Sequence, residues 1–158
     1  MNGKDVLQST LAFLALVALA APVARAHNLN DADSHELRTY TLTQAAFDRY
    51  AQATRNLSGV QILACDAHTE VTSIDEAAAT LDAVPAARTA VRSAGMTSRE
   101  YVVFAFTLLQ SGIAANALGA HGGELPPGVP LKNVDFYLDH AGEMQELTDE
   151  AEGPACPG

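Results

Sequence analysis

The segment MTSREYVVFAFTLLQSGIAANAL, residues 96–118, predicts one long helix that the other helices of the protein surround. Thr97 can act as its N-cap, and Glu100 stands three residues later, where its carboxylate can bond back to the Thr97 backbone N–H. The residues that follow are apolar on every side of a helix, which is typical of a membrane span or of a buried core helix. Gln110 and Ser111 interrupt the apolar run before it reaches bilayer length. We therefore favour a core helix and keep a membrane span as the alternative.

Apolar residues at helical spacing predict further helices on both sides of this segment. The predicted start residues are Thr43, Ser73 and Asn133, and Gly95 is a predicted helix end. Pro85 either ends the helix that starts at Ser73 or opens a short further helix. The apolar faces of the first and last of these helices comprise Phe47, Tyr50, Ala51, Thr54 and Leu57, and then Val134, Tyr137, Leu138, Ala141 and Met144. No alternating strand pattern competes with them. The sequence thus predicts an all-α protein, a compact bundle of four or five helices around a central apolar helix.

The N-terminal residues have the pattern of an export signal. An apolar run at Leu11–Ala21 precedes Ala24-Arg25-Ala26, the small-x-small pattern that a signal peptidase cleaves, and an uncleaved anchor is the alternative. We expect residues 1–26 to be the signal peptide, which leaves 132 of the 158 residues and a periplasmic or secreted location. Residues 27–41 are polar and predicted to be loose, residues 42–152 form the helical domain, and 153–158 are a C-terminal tail.

The charge balance restricts the classes of partner. The chain holds nine basic and nineteen acidic residues, a net charge of −10. Cleavage would remove Lys4, Arg25 and Asp5, leaving seven basic against eighteen acidic residues, a net charge of −11. Such an acidic protein repels phosphate backbones and anionic lipid, so we expect neither a nucleic-acid partner nor membrane binding after cleavage. A protein or a small molecule remains as the partner.

The two cysteines predict one disulfide in an oxidising compartment. Cys65 and Cys156 would tie the end of the first helical region to the tail, which is rich in glycine and proline. The loop closed is about ninety residues long, for which the chain-entropy estimate is roughly 4 kcal/mol less any strain. Free thiols and pairing between two chains are the alternatives.

Histidines offer the candidate metal ligands. After cleavage His27 would be N-terminal, and its α-amine and imidazole together suit copper(II), with a second histidine completing the site. His68 lies in the cluster Cys65-Asp66-Ala67-His68-Thr69-Glu70, whose side chains suit zinc or copper. His121 lies in the glycine- and proline-rich loop of residues 119–132. We expect the protein to bind no cofactor, and a copper or zinc ion is the alternative.

Catalytic patterns are missing from the sequence, which holds no Gly-x-Ser-x-Gly, no His-Glu-x-x-His and no phosphate-binding loop. Arg55 and Glu100 are expected to form a structural salt bridge between two helices. No catalytic residue is assigned, and the sequence favours a protein that is not an enzyme. The alternative is an enzyme whose catalytic residues come from distant parts of the chain. The sequence favours a small exported binding or interaction protein, with metal binding through His27 and other histidines as the alternative.

A resemblance rests on three groups of residues. They are Leu42-Thr43 with Phe47, Tyr50 and Ala53–Asn56, then Gly95–Tyr101 with Gly112, and finally Asn133–Phe136. With these the chain resembles a group of small exported helical proteins of Gram-negative bacteria with no known activity. The resemblance covers most of the mature chain and implies export and a helical fold, and it implies no activity.

Overall fold

A computed structural model describes residues 29–62, 71–120 and 125–151, and all regular structure in these ranges is α-helical. The seven helices are α1 Asp31–Thr39, α2 Gln44–Leu57, α3 Ile74–Ala83, α4 Pro85–Ser93, α5 Ser98–Ala120, α6 Leu131–Asp139 and α7 Ala141–Ala151. The prediction of an all-α protein is confirmed. The described ranges alone hold more helices than the predicted four or five. The predicted signal peptide lies outside them and stays a prediction.

One added helix, α1, lies in the segment 27–41 that the sequence predicts to be loose, and that prediction is wrong for the residues of α1. Asn30 caps the helix by accepting a hydrogen bond from the Asp33 backbone N–H at 2.9 Å. The Asp33 carboxylate in turn accepts from the Ile74 backbone N–H at 2.9 Å, at the first residue of α3. Leu37 is buried on the same helix. The hydrogen bond between Asp33 and Ile74 and the burial of Leu37 thus anchor α1, although the segment is polar in overall composition.

A second difference concerns the last predicted helix, which the structure divides at His140 into α6 and α7. The predicted cap, Asn133, is wrong, because α6 begins at Leu131 after Pro130 and has no side-chain cap. Asn133 is instead fully buried in the first turn of α6. Leu138, predicted to lie on the buried stripe, is 55% exposed.

The start of α5 follows the predicted capping box in both directions. The Thr97 backbone N–H donates to the Glu100 carboxylate at 2.7 Å, and the Glu100 backbone N–H donates to the Thr97 hydroxyl oxygen at 3.1 Å. Gly95 has a φ of +78°, which favours glycine and lets the chain turn from α4 into α5. Reciprocal bonds at this terminus satisfy donors that the helix itself leaves free.

We expect the capping box to make the stability of the protein sensitive to acid. The Thr97 hydroxyl also donates to the Glu100 carboxylate, at 2.8 Å. This bond and the one from the Thr97 backbone N–H lower the pKa of the Glu100 carboxyl below its ordinary value of 4.5. This contribution is therefore complete above the unfolded-state pKa and is lost as the pH falls through the lowered folded-state pKa. Thr97→Ala should lower the free energy of unfolding by about 1 kcal/mol at pH 7.

Urea unfolding at neutral and at acidic pH checks this prediction. Glu100→Gln should lower stability at neutral pH and lose less of it on acidification than the wild type does. The control is Glu143→Gln, which removes the same charge at an exposed position in the first turn of α7. An identical acid response in Glu100→Gln and in Glu143→Gln would contradict the assignment.

Helix α5 carries the largest share of the buried apolar side chains. Every residue from Tyr101 to Leu108 is buried, and α5 packs against α1, α2, α3, α4 and α6. Among the described residues α5 is also the one helix long and apolar enough to span a bilayer. Half of its apolar window is buried inside the protein. Length and composition do not by themselves identify a span, because core helices and signal sequences meet the same criteria.

Candidate functional site

The metal and disulfide residues named by the sequence lie outside the described residues. These are His27, His68 and His121 for the metal, and Cys65 and Cys156 for the disulfide. Both assignments therefore stay predictions. Within the ranges that the structure describes, no three histidine, cysteine or acidic side chains come together in a way that could hold a metal ion.

His140 is a structural link between helices. Its Nδ1 lies 2.7 Å from the Phe136 carbonyl oxygen, and its Nε2 lies 2.6 Å from the Gln44 Oε1. The imidazole stacks on the Phe136 ring at a centroid distance of 3.9 Å and meets the Phe47 ring edge-on at 5.0 Å. Both ring nitrogens are therefore occupied, and the side chain joins the end of α6 to the start of α2.

Residues Tyr101–Leu108 of α5 are buried, whereas the second half of the helix reaches the surface and carries no charged residue. Leu109 is half-buried, and Ile113 is 60% exposed. On α6, Leu131 is 56% exposed and Leu138 is 55% exposed. We refer to Ile113, Leu131 and Leu138 together as the α5–α6 face. They are the large apolar side chains most exposed in the described part of the protein.

The α5–α6 face borders a close contact between its two helices. A Cβ atom on Gly112 would lie 2.6 Å from Cε2 of Tyr137, so the two helices meet where α5 has no side chain. Ile113 directly follows Gly112, and Leu138 directly follows Tyr137. Burial raises the pKa of Tyr137 to about 12, so its phenol adds no charge here at neutral pH. The contact is therefore uncharged and flanked by exposed apolar side chains on both helices.

Asn133 fixes α6 to the connection between α1 and α2. Its side-chain oxygen accepts from the Leu42 backbone N–H at 3.0 Å, and its side-chain nitrogen donates to the Tyr40 carbonyl at 2.9 Å. Both backbone groups belong to the segment between two helices, where no helical partner is available to them. Together with His140 at the other end of α6, Asn133 holds the helix in one place, so the α5–α6 face is formed in the folded chain.

Charge is distributed unevenly around the α5–α6 face. From Tyr101 to Ala120 the chain carries no charged residue, whereas residues 131–151 carry six acidic residues and one lysine. Asp135 lies four residues after Leu131 and three before Leu138, which places it on the same side of α6. An uncharged surface on α5 thus continues into a strongly acidic one on α6 and α7.

The remaining polar clusters hold helices together. Arg99 makes two bonds to the Glu36 carboxylate at 2.6 and 2.7 Å and one to Asp75 at 2.9 Å, which joins the start of α5 to α1 and α3. Arg55 pairs with Glu150 at 2.7 Å, so the prediction that it pairs with Glu100 is wrong. The cap of α5 already binds Glu100.

A buried hydroxyl cluster lies between α2 and α5. The Thr54 hydroxyl donates to the Tyr50 carbonyl at 2.9 Å and lies 3.1 Å from the Tyr101 hydroxyl. The rings of Tyr50 and Tyr101 stack at a centroid distance of 5.0 Å. Burial raises the pKa of both phenols, so neither exchanges a proton readily at neutral pH. The cluster is suited to structural support.

Comparison of the chain with protein-family models, with curated proteins and with solved structures found no match in any of the three. The resemblance to exported helical proteins accordingly stays a prediction. The most distinctive feature of the described residues is the α5–α6 face.

Proposed function

We propose that the exported chain is a non-enzymatic binding protein, a helical bundle built around α5 that takes up a protein partner through the α5–α6 face. The observation that carries this proposal is the exposure of Ile113, Leu131 and Leu138 beside one helix contact. Single exposed apolar residues are ordinary on soluble proteins, whereas apolar residues grouped on one surface mark interaction sites.

The energetics favour a partner on this surface. Burying an exposed leucine or isoleucine side chain completely contributes roughly 1.5–3 kcal/mol. The Gly112–Tyr137 contact and the Asn133 hydrogen bonds fix the two helices beforehand, so a partner would not need to order them. A preformed apolar surface converts more of its buried area into affinity than a loose one does.

The polar clusters give less support to an enzyme. Arg99, Arg55 and His140 each use at least one side-chain nitrogen in a bond between helices. The buried phenols of Tyr50 and Tyr101 keep their protons at neutral pH. In the ranges described here, these groups are engaged in holding the fold, and that favours a binding role over catalysis.

A photo-crosslinking residue placed at position 113 of the full chain, expressed in its host, tests the proposal. We expect a discrete adduct with a protein, and we expect the adduct to disappear when Leu138→Ser is added. The control carries the crosslinker at position 86, which is exposed on α4. Serine at an exposed position should leave stability nearly unchanged, so a lost adduct would report on the surface. Equal adducts from positions 113 and 86, or none from position 113, would overturn the proposed function.

A further inference from the structure

We infer that the partner segment which covers the α5–α6 face is a cationic amphipathic helix, and this inference rests on the proposed function. The apolar side of such a helix would cover Ile113, Leu131 and Leu138, and its basic residues would meet the carboxylates of α6 and α7. Recognition of this kind, in which an apolar helix face lies against an apolar surface, uses anchor side chains one helical turn apart.

The spacing of the exposed residues favours a helical occupant. Leu131 and Leu138 are seven residues apart, two turns along the same side of α6, and Ile113 lies on the adjoining helix. Two helices that pack together present rows of side chains, and a third helix can place its own row against them. The face therefore suits a partner whose apolar residues recur at helical spacing.

The charges favour a cationic occupant. Asp135 lies between the two exposed leucines, and Asp139 directly follows Leu138. Both aspartates and Glu143 are exposed, and none of the three takes part in an ion pair within the described residues. The amine of Lys132, the only basic residue of α6 and α7 apart from His140, donates to the Thr41 hydroxyl at 2.7 Å. Carboxylates beside the apolar side chains are therefore available to a basic partner.

Other occupants fit the charges less well. A second copy of the chain would bring the same acidic α6 and α7 against themselves, and its net charge of −10 would oppose association. Anionic lipid would meet the same repulsion. Opposite charge on a partner instead accelerates the encounter and discriminates against acidic competitors.

Binding of three synthetic peptides of equal length to the full chain tests the inference. The first is an amphipathic leucine–lysine helix, the second has glutamate in place of every lysine, and the third is a scrambled leucine–lysine sequence with no apolar face. Fluorescence anisotropy at low and at high salt gives each Kd. We expect the leucine–lysine helix to bind more tightly than both of the others, and to weaken at high salt.

Two pairs of substitutions in the protein locate the binding. Asp135→Asn with Asp139→Asn should weaken the leucine–lysine helix by about tenfold, since each surface ion pair contributes little alone. Asp31→Asn with Asp48→Asn makes the same change of charge on α1 and α2 and should have little effect. Ile113→Ser with Leu138→Ser should abolish binding of this helix, and unchanged far-UV circular dichroism and melting would show that the fold is intact.

Four results would overturn the inference. Equal binding of the lysine and glutamate helices would overturn the inference and leave the proposed function standing. Equal binding of the scrambled peptide, insensitive to Ile113→Ser with Leu138→Ser, would also overturn it, because only a diffuse acidic surface would then be at work. No binding of any peptide would overturn it as well, and so would a crosslink from position 113 to a second copy of this chain. The crosslinking at position 113 would still decide the proposed function.

Discussion

Phe104→Ala is expected to lower the free energy of unfolding by about 3–5 kcal/mol, as large-to-small replacements of buried aromatic residues do. Phe104 is 0% exposed at the middle of the buried half of α5. Its ring lies 4.8 Å from that of Tyr50, 6.3 Å from that of Phe47 and 6.5 Å from that of Tyr40, measured between centroids. Removing it would leave a cavity among three rings from α2 and from the α1–α2 connection, which cannot all move inward.

Urea unfolding of the purified chain measures this loss. Ile113→Ala is the matched control, because it also removes a large apolar side chain from α5 but at a position that is 60% exposed. It should change the free energy of unfolding by less than about 0.5 kcal/mol. A similar loss in both variants would show that burial along α5 does not differ between its two halves. The loss from Phe104→Ala is a large part of the roughly 5–15 kcal/mol that stabilises a typical domain.

Asn133→Leu is expected to cost about 2–5 kcal/mol, although leucine is close to asparagine in size and suits a helix better. The substitution removes the partners of two backbone groups, the N–H of Leu42 and the carbonyl of Tyr40. A buried polar group left without a partner costs about 1–3 kcal/mol, and the Tyr40 carbonyl, which is only partly buried, should cost less than the Leu42 N–H. Hydrogen exchange of the Leu42 amide, followed by NMR, should become faster in the variant together with the loss of stability.

Asn116→Leu serves as the control for this change, because Asn116 is exposed on α5. It should leave both the free energy of unfolding and the exchange of the Leu42 amide nearly unchanged. If Asn133→Leu were as stable as the wild type, the two hydrogen bonds would have to be replaceable by water, and Asn133 would not fix α6.

The features that the sequence predicted well are those formed within four residues. Thr43, Ser73 and Thr97 each cap the helix that the sequence assigned to them, because a cap needs only its own side chain and the next turn. Pro85 likewise begins α4, and Gly95 ends it, for reasons contained in their own backbone angles.

The features that were missed depend on partners far along the chain. Helix α1 is anchored by Asp33 on the N–H of Ile74, and α6 by Asn133 on Leu42. Neither pairing leaves a periodic signal in the sequence. The spacing of Leu138 identifies an apolar stripe, but a stripe does not show which of its residues another helix will cover.

The candidate site was missed for the same reason. The sequence suggested histidines as candidate site residues, because a single histidine is already a potential metal ligand whatever the fold. The α5–α6 face consists of ordinary isoleucine and leucine side chains, and only their exposure in the folded chain distinguishes them.

The hydrogen bond from Leu42 to Asn133 has a consequence for the order in which the chain acquires its structure. It joins residues 91 positions apart, and the bond between Arg55 and Glu150 spans 95. A polypeptide emerges from the ribosome, or from a translocation channel, with its N-terminus first. The bonds that Leu42 and Arg55 make with Asn133 and Glu150 can therefore form only after the last third of the chain has emerged. Final assembly is therefore a late closure between early and late helices of the described chain, and contacts between such distant residues are slow to form.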